Sequence, residues 1–313
     1  MFNRRFLRIK AFQALYSFYQ DEQAGRSAHE KNLLSGLNKA YELYLFLMAF
    51  PAEFRHYVAL ELDNQKTKYI PQPDAIQKLE TIYGNKAFIA FESNTTLNNK
   101  ISKLKLTWHH NKDLFKQIIT TLRQKEWFSN YADKPSKSFK EDKNFLRDLF
   151  ELCVTECALF DEYMEDKYLN WEDDQVLVFN QLEKTIDGLN EEEHLDFLDN
   201  GDLEEEDLQF VKDLFRFTLD HETELTDAIA QKTKNWDPDR LAMIDLLLMK
   251  LALCEILYFN HIPIKVSINE YIEVAKLYST PNSHGFINGV LDKIHHELKE
   301  NNKLNKTGRG LVE

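Results

Sequence analysis

LAMIDLLLMKLALCEILYF, residues 241–259, is the longest apolar stretch of the 313-residue chain, and its reading decides the fold. Its three charges, Asp245, Lys250 and Glu255, fall at about 0°, 140° and 280° on a helical wheel. No face of such a helix is polar, so it belongs at the centre of a bundle. The same charges make a membrane span too costly. Composition agrees: 9 Gly and 7 Pro are too few for the tight turns of a β-sandwich, while Leu, Glu, Lys, Phe and Tyr dominate. The fold is all-α, and with 43% hydrophobic residues the chain can bury one large core or two ordinary ones.

Working outward, HIP breaks this helix at Pro263. SINE, 267–270, has the spacing of a capping box, and alternatively the next helix begins at Pro263 itself; either way Ile268, Ile272 and Ala275 face inward. TPNS, 280–283, is a turn whose Ser283 can cap a last helix that carries Phe286, Ile287, Val290, Leu291, Ile294 and Leu298 on one face. Upstream, 208–236 predicts one long amphipathic helix that ends before Asp237-Pro238, with its successor starting near Asp239. Residues after Asn301 are polar.

The N-terminal stretch NRRFLRIKAFQALYSFYQ, 3–20, carries Arg4, Arg5, Arg8 and Lys10 with no acid before Asp21, in a chain of net charge −13. Leu7, Ala11, Ala14, Leu15 and Phe18 recur at helical spacing, so one helix runs to about Tyr19. Cations in its first turns face the positive end of the helix dipole, at a cost of a few tenths of a kcal/mol each. Two readings account for them: pairing with acids elsewhere in the chain, or contact with phosphate, with Arg4, Arg5 and Arg8 outward.

Next come a loop around Gly25, a helix over 28–50 stopped by Pro51, another from Glu53 to about Lys66, and a break over 68–75. Residues 100–147 hold twelve Lys or Arg against five acids, with Trp108, Trp127 and Phe128 interleaved; a charged helical surface is the favoured reading over an extended RNA surface. Between Asp187 and Asp207 stand eleven acids and no Lys or Arg, around turn signals at Gly188 and Asn200-Gly201. That run reads as a solvated negative surface that keeps RNA at the opposite end.

Enzyme signatures are absent: no Gly-rich phosphate loop, no HExxH, no GxSxG elbow. Cys153, Cys157 and Cys254 form no paired framework and read as small buried hydrophobes in a reducing compartment. The N-terminus has no secretory pattern, so a cytoplasmic protein without cofactor or metal is expected.

Four blocks, QALYS (13–17), LALCEIL (251–257), PIKVSINEYIEVAK (263–276) and FINGVLDK (286–293), resemble the bacterial transcription antitermination factor NusB family. The resemblance implies a pair of helical bundles, a non-catalytic RNA-binding role, and a partnership with NusE, a small-subunit ribosomal protein. The pair would bind boxA-type RNA in ribosomal RNA transcripts within the transcription elongation complex. It also implies RNA contacts at Arg4, Arg5, Arg8, Lys10, Ser283, His284 and Phe286, and NusE contacts at Tyr16 and Asp245. Gly285 stands where the family often has Lys. The extra length implies a domain plan of 1–25 as the RNA-binding helix, 26–203 as a helical insertion, 204–300 as the rest of the core and 301–313 as a tail. A helical protein-interaction scaffold with residual RNA affinity is the competing reading.

Overall fold

The computed structural model describes residues 4–190, 195–198, 205–233, 242–301 and 304–308. Among them are fifteen α-helices, a short 3-10 helix and no strand. The expected turn at Asn200-Gly201 and the helix boundaries at Asp237-Pro238 and Asp239 lie outside the described residues. The chain divides into two compact units, the first formed by Met1–Leu37 with Asn200–Glu313 and the second by Asn38–Asp199.

Unit 1 holds α1 (Arg4–Gln20), the first turns of α2 (Arg26–Lys66), and the last five helices. Unit 2 holds the remainder of α2 followed by α3 (Pro73–Tyr83), α4 (Lys86–Ser93), α5 (Thr95–Leu104), α6 (Lys112–Leu122), α7 (Glu126–Ala132), α8 (Phe139–Glu156), α9 (Ala158–Lys167) and α10 (Trp171–Gly188). Pro51 lies inside α2 and does not end it. A proline in a helix interior costs about 3 kcal/mol. Tyr44, Phe46, Phe50, Phe54 and Val58 are all fully buried around it, and each is worth roughly 1.5–3 kcal/mol, so packing overrides the breaker.

The core of unit 2 is aromatic. Trp108 stacks on Phe46 at 4.1 Å and donates its indole N–H to the Phe46 carbonyl at 2.9 Å. Phe128 is equally buried. Neither ring is available to a base, so Trp108 and Phe128 are core, while Trp127 is half-buried. Local caps fix the helix starts: Asn85 accepts the amides of Ala87 and Phe88, and Ser138 with Glu141 forms a reciprocal capping box.

In unit 1 the helices are α11 (Glu205–Asp220), α12 (Glu222–Lys232), α13 (Met243–Tyr258), α14 (Ile264–Tyr278) and α15 (Ser283–Glu300). The single helix expected over 208–236 is broken at His221, which lets α11 and α12 each pack on α13. α13 is the central helix, and each of its three charges has a partner. Asp245 accepts from the Ser279 hydroxyl, Lys250 donates to Glu222 at 2.9 Å, and Glu255 takes both Nε and Nη2 of Arg8. Buried charges persist when paired in this way.

α14 begins at Ile264 after Pro263, and the SINE box is not its cap. Ser267 is fully buried and donates to Glu255 at 2.7 Å, while Glu270 turns to α1. Ser283 is likewise inside its helix: Asn282 holds the cap position of α15, and the Ser283 hydroxyl lies 2.8 Å from that of Thr280. Residues 304–308 return to the end of α13, where Lys306 Nζ donates to the Phe259 carbonyl at 3.0 Å and the Thr307 amide to Asn260 at 3.0 Å. Cys153, Cys157 and Cys254 are buried free thiols, as expected.

Candidate nucleic-acid interface

α1 and α14 run side by side in the same direction: Arg5 meets Glu270, and seven residues on, the Phe12 ring packs 5.3 Å from that of Tyr278. This register puts the cationic start of α1 beside the first half of α14.

The four cations of α1 fare differently. Arg5 reaches Glu270 through Nε at 2.9 Å and Nη2 at 3.0 Å, and its side chain stays 37% exposed. Hydrogen bonding to Glu270 holds its guanidinium pKa above the ordinary value against a smaller opposing cost of burial. Arg4 is bound by Glu206 and Asp207 of α11, with its guanidinium 5.1 Å over the Phe210 ring.

Arg8 is not outward. It is 2% exposed, and its fork grips Glu255 at 2.8 and 2.7 Å. Burial would lower its pKa, but the hydrogen bonds and charge of Glu255 more than reverse that. The reason is geometric: Arg8 lies on the stripe of Phe12 and Leu15, one turn deeper than Arg4, where α13 presents a carboxylate that only a cation can neutralise. Lys10 is also buried, at 4% exposure, with its ammonium 5.6 Å over the Phe6 ring. Leu7, Ala11 and Leu15 are buried as the helical spacing predicts, while Phe18 is only half-buried, edge-on to His29. Pairing within the chain therefore accounts for Arg8 fully, and for Arg4 through Glu206 and Asp207 of the acidic run.

The second predicted cluster lies at the start of α15. Ser283 is buried, His284 and Phe286 are half-buried, and Gly285 is exposed with open space where a Cβ would stand. Lys276 holds the Glu273 carboxyl below its usual range through a hydrogen bond at 2.6 Å, and the charges of Arg5 and His284 add smaller contributions. Arg5 of α1 and His284 of α15 are thus both within electrostatic reach of α14. Lys276 and His261 escaped the sequence reading; His261 lies 257 residues from Arg4, and no local spacing signals it. Of the residues assigned to a protein partner, Tyr16 is 39% exposed, whereas Asp245 is buried against Ser279.

A cavity of about 640 Å³ between α12, α13 and α15 has the wrong sign for phosphate: Glu224, Asp227 and Glu297 line it against Lys232 alone. Among the described residues no group of three His, Cys, Asp or Glu is placed to hold a metal, and no helix is long and apolar enough to cross a membrane.

At the far end of α1, Tyr19 and Lys250 both bind Glu222, at 2.6 and 2.9 Å. Burial pushes the Glu222 carboxyl up, but these two hydrogen bonds outweigh it and hold the pKa below the ordinary value. A carboxyl depressed on folding contributes stability above its ordinary range and loses it as pH falls through the depressed value. Glu222→Gln is therefore expected to flatten the acid side of the stability profile, as read by thermal unfolding between pH ~3 and 7. Parallel profiles for the two proteins would refute the assignment.

A family model described as "NusB family" matches residues 175–296, from within α10 to within α15. The chain is 47% identical over 103 residues to the transcription antitermination protein NusB of Salinibacter ruber, 42% over 104 residues to that of Chloroherpeton thalassium, and 44% over 91 residues to that of Geobacter sulfurreducens. These alignments take in 33%, 33% and 29% of this chain and 64%, 49% and 66% of the relatives, so the chain spans about half to two thirds of their length and is itself longer than each. No solved structure matches it. The helices that seat α1, from α11 through most of α15, therefore lie within the stretch that this family model matches.

Proposed function

We propose that the chain is a non-enzymatic, RNA-binding transcription antitermination factor that acts with NusE on boxA-type RNA in the elongation complex. The observation that carries this reading is Arg5, whose guanidinium is held by Glu270 of α14 yet stays 37% exposed, with His284 of α15 within electrostatic reach of the same helix. Arg5 and His284 belong to two segments that resemble the family's RNA contacts, although they are far apart in sequence. The names of the relatives supply the process. A guanidinium with 37% of its side chain in water, and with Nη1 unengaged among the described residues, can offer N–H donors to a phosphate. Phe286, half-buried one turn into α15, is the ring placed to stack on an unpaired base. Of the two residues assigned to the NusE contact, Tyr16 is the exposed one and carries it on this reading.

Residues 38–199 form a compact unit with its own core, and on this reading they leave the RNA face to unit 1. The test is a gel-shift series on boxA-type RNA, with and without NusE, at several salt concentrations. Binding should tighten with NusE and weaken with salt. Arg5→Ala should cost roughly tenfold in affinity and lower the salt slope by about one. Unaltered affinity in that variant would remove the interface. Gly285→Lys should act in the opposite sense, adding a cation beside His284 where there is open space for a side chain; in the first turn of α15 the better helix propensity and the unfavourable helix dipole offset one another, so stability should change little. A weaker-binding Lys variant would contradict this.

A further inference from the structure

The first turn of α11 brings two carboxylates onto Arg4, and all three guanidinium nitrogens are engaged. Nη2 lies 2.5 Å from Glu206, Nε 3.3 Å from Asp207, and Nη1 3.2 Å from Nε2 of His261. The carboxylates are not equivalent. The side chain of Asp207 is 4% exposed, its Oδ1 contact is long, and its Oδ2 has no hydrogen-bond partner among the described residues. Asp207 is thus a fixed part of the seat. Glu206 is 67% exposed, so its bond to Arg4 stands open to water and to exchange. Arg5, one residue on, keeps a guanidinium nitrogen unengaged; Arg4 keeps none.

A carboxylate and a phosphodiester offer a guanidinium the same pair of anionic oxygens. Glu206 therefore fills the position a backbone phosphate would take on Arg4. Its displacement is cheap, because a released Glu206 remains solvated in the first turn of α11, where the helix dipole favours a negative charge. We propose that Glu206 is an internal phosphate surrogate: it occupies Arg4 until an RNA backbone displaces it, and so sets the threshold that separates an RNA making many contacts from a polyanion making few. The inference rests on the RNA-binding reading above and goes beyond it by naming a residue that opposes binding.

The test compares the full chain with its Glu206→Gln variant on boxA-type RNA and on oligouridine of equal length, over a salt series. Neutralising Glu206 should raise oligouridine affinity about 3- to 10-fold and steepen the salt slope by about one, as one more phosphate is engaged. The boxA-type RNA should gain at least as much affinity, since it no longer has to displace the carboxylate, but its salt slope should not change, because it already engages Arg4. Arg4→Ala should weaken boxA-type RNA binding in the parent, where that RNA engages Arg4, and erase the oligouridine gain in the Glu206→Gln background. Thermal unfolding of each variant verifies that the fold is kept. Equal oligouridine affinity and slope in parent and variant would overturn the inference alone, as would a gain that survives Arg4→Ala. Binding of neither RNA by either protein would overturn the RNA-binding reading and this inference with it.

Discussion

Arg8→Ala is expected to lower the unfolding free energy of unit 1 by about 3–5 kcal/mol, the cost of leaving a buried charge without its partner. Glu255 is fully buried and accepts four hydrogen bonds: two from Arg8, one from Ser267 at 2.7 Å and one from Tyr271 at 3.3 Å. Without the guanidinium, only two neutral hydroxyls remain to hold a carboxylate in an apolar bundle. Arg8→Lys should rescue little, because an ammonium cannot span both carboxylate oxygens. Replacing both partners with Leu should restore most of the stability, since a buried pair is often no better than apolar packing of similar volume. Three of the four tryptophans, Trp108, Trp127 and Trp171, lie in unit 2, so tryptophan fluorescence is dominated by that unit and is a poor reporter here. Hydrogen exchange along α13 is the better measurement, and unchanged protection there in Arg8→Ala would refute the argument. For the same reason, RNA-binding experiments on Arg8 variants would confuse loss of fold with loss of contact.

Trp108→Ala should have a comparable effect in unit 2, about 3–5 kcal/mol. The indole is fully buried, lies between Phe46 at 4.1 Å and Phe160 at 5.8 Å, and anchors the 105–111 segment to α2 through its N–H. Trp108→Phe keeps the stacking, loses the hydrogen bond and part of the volume, and should cost less than half as much. Thermal unfolding followed by the fluorescence of Trp171, buried in the same core, reads the difference. A wild-type midpoint for Trp108→Ala would show that the aromatic stack is not what holds this unit.

The sequence was most legible where one local pattern has one physical solution. Three charges spread around 241–259 leave no solvent face, and α13 is the central helix. What no local pattern carries is the identity of the partners. Asp245, Lys250 and Glu255 are matched by Ser279, Glu222 and Arg8, residues 34, 28 and 247 positions away. Breakers misled in both directions: Pro51 reads as a stop but is overridden by packing, while His221 carries no breaker chemistry and still divides two helices. The start of α1 held a clue that charge alone obscured. Arg8 shares the stripe of Phe12 and Leu15, and a cation on an apolar stripe signals a buried pair more than an outward contact. In 100–147 the lysines drew attention to the aromatics between them, yet in a helical segment that rich in charge Trp108 and Phe128 are what the core has to work with.

The ion pairs that seat α1 have a consequence for biosynthesis. Arg4, Arg5 and Arg8 find Glu206, Glu270 and Glu255 across 202, 265 and 247 residues. At about 5–20 residues per second, a ribosome needs roughly 10–50 s to supply those carboxylates after α1 has been made. Throughout that interval the helix has its cations unmatched and its apolar stripe uncovered, while the whole of unit 2 is synthesised. The core of unit 1 can close only when the last helices arrive, so its folding on the ribosome is set by the far end of the chain.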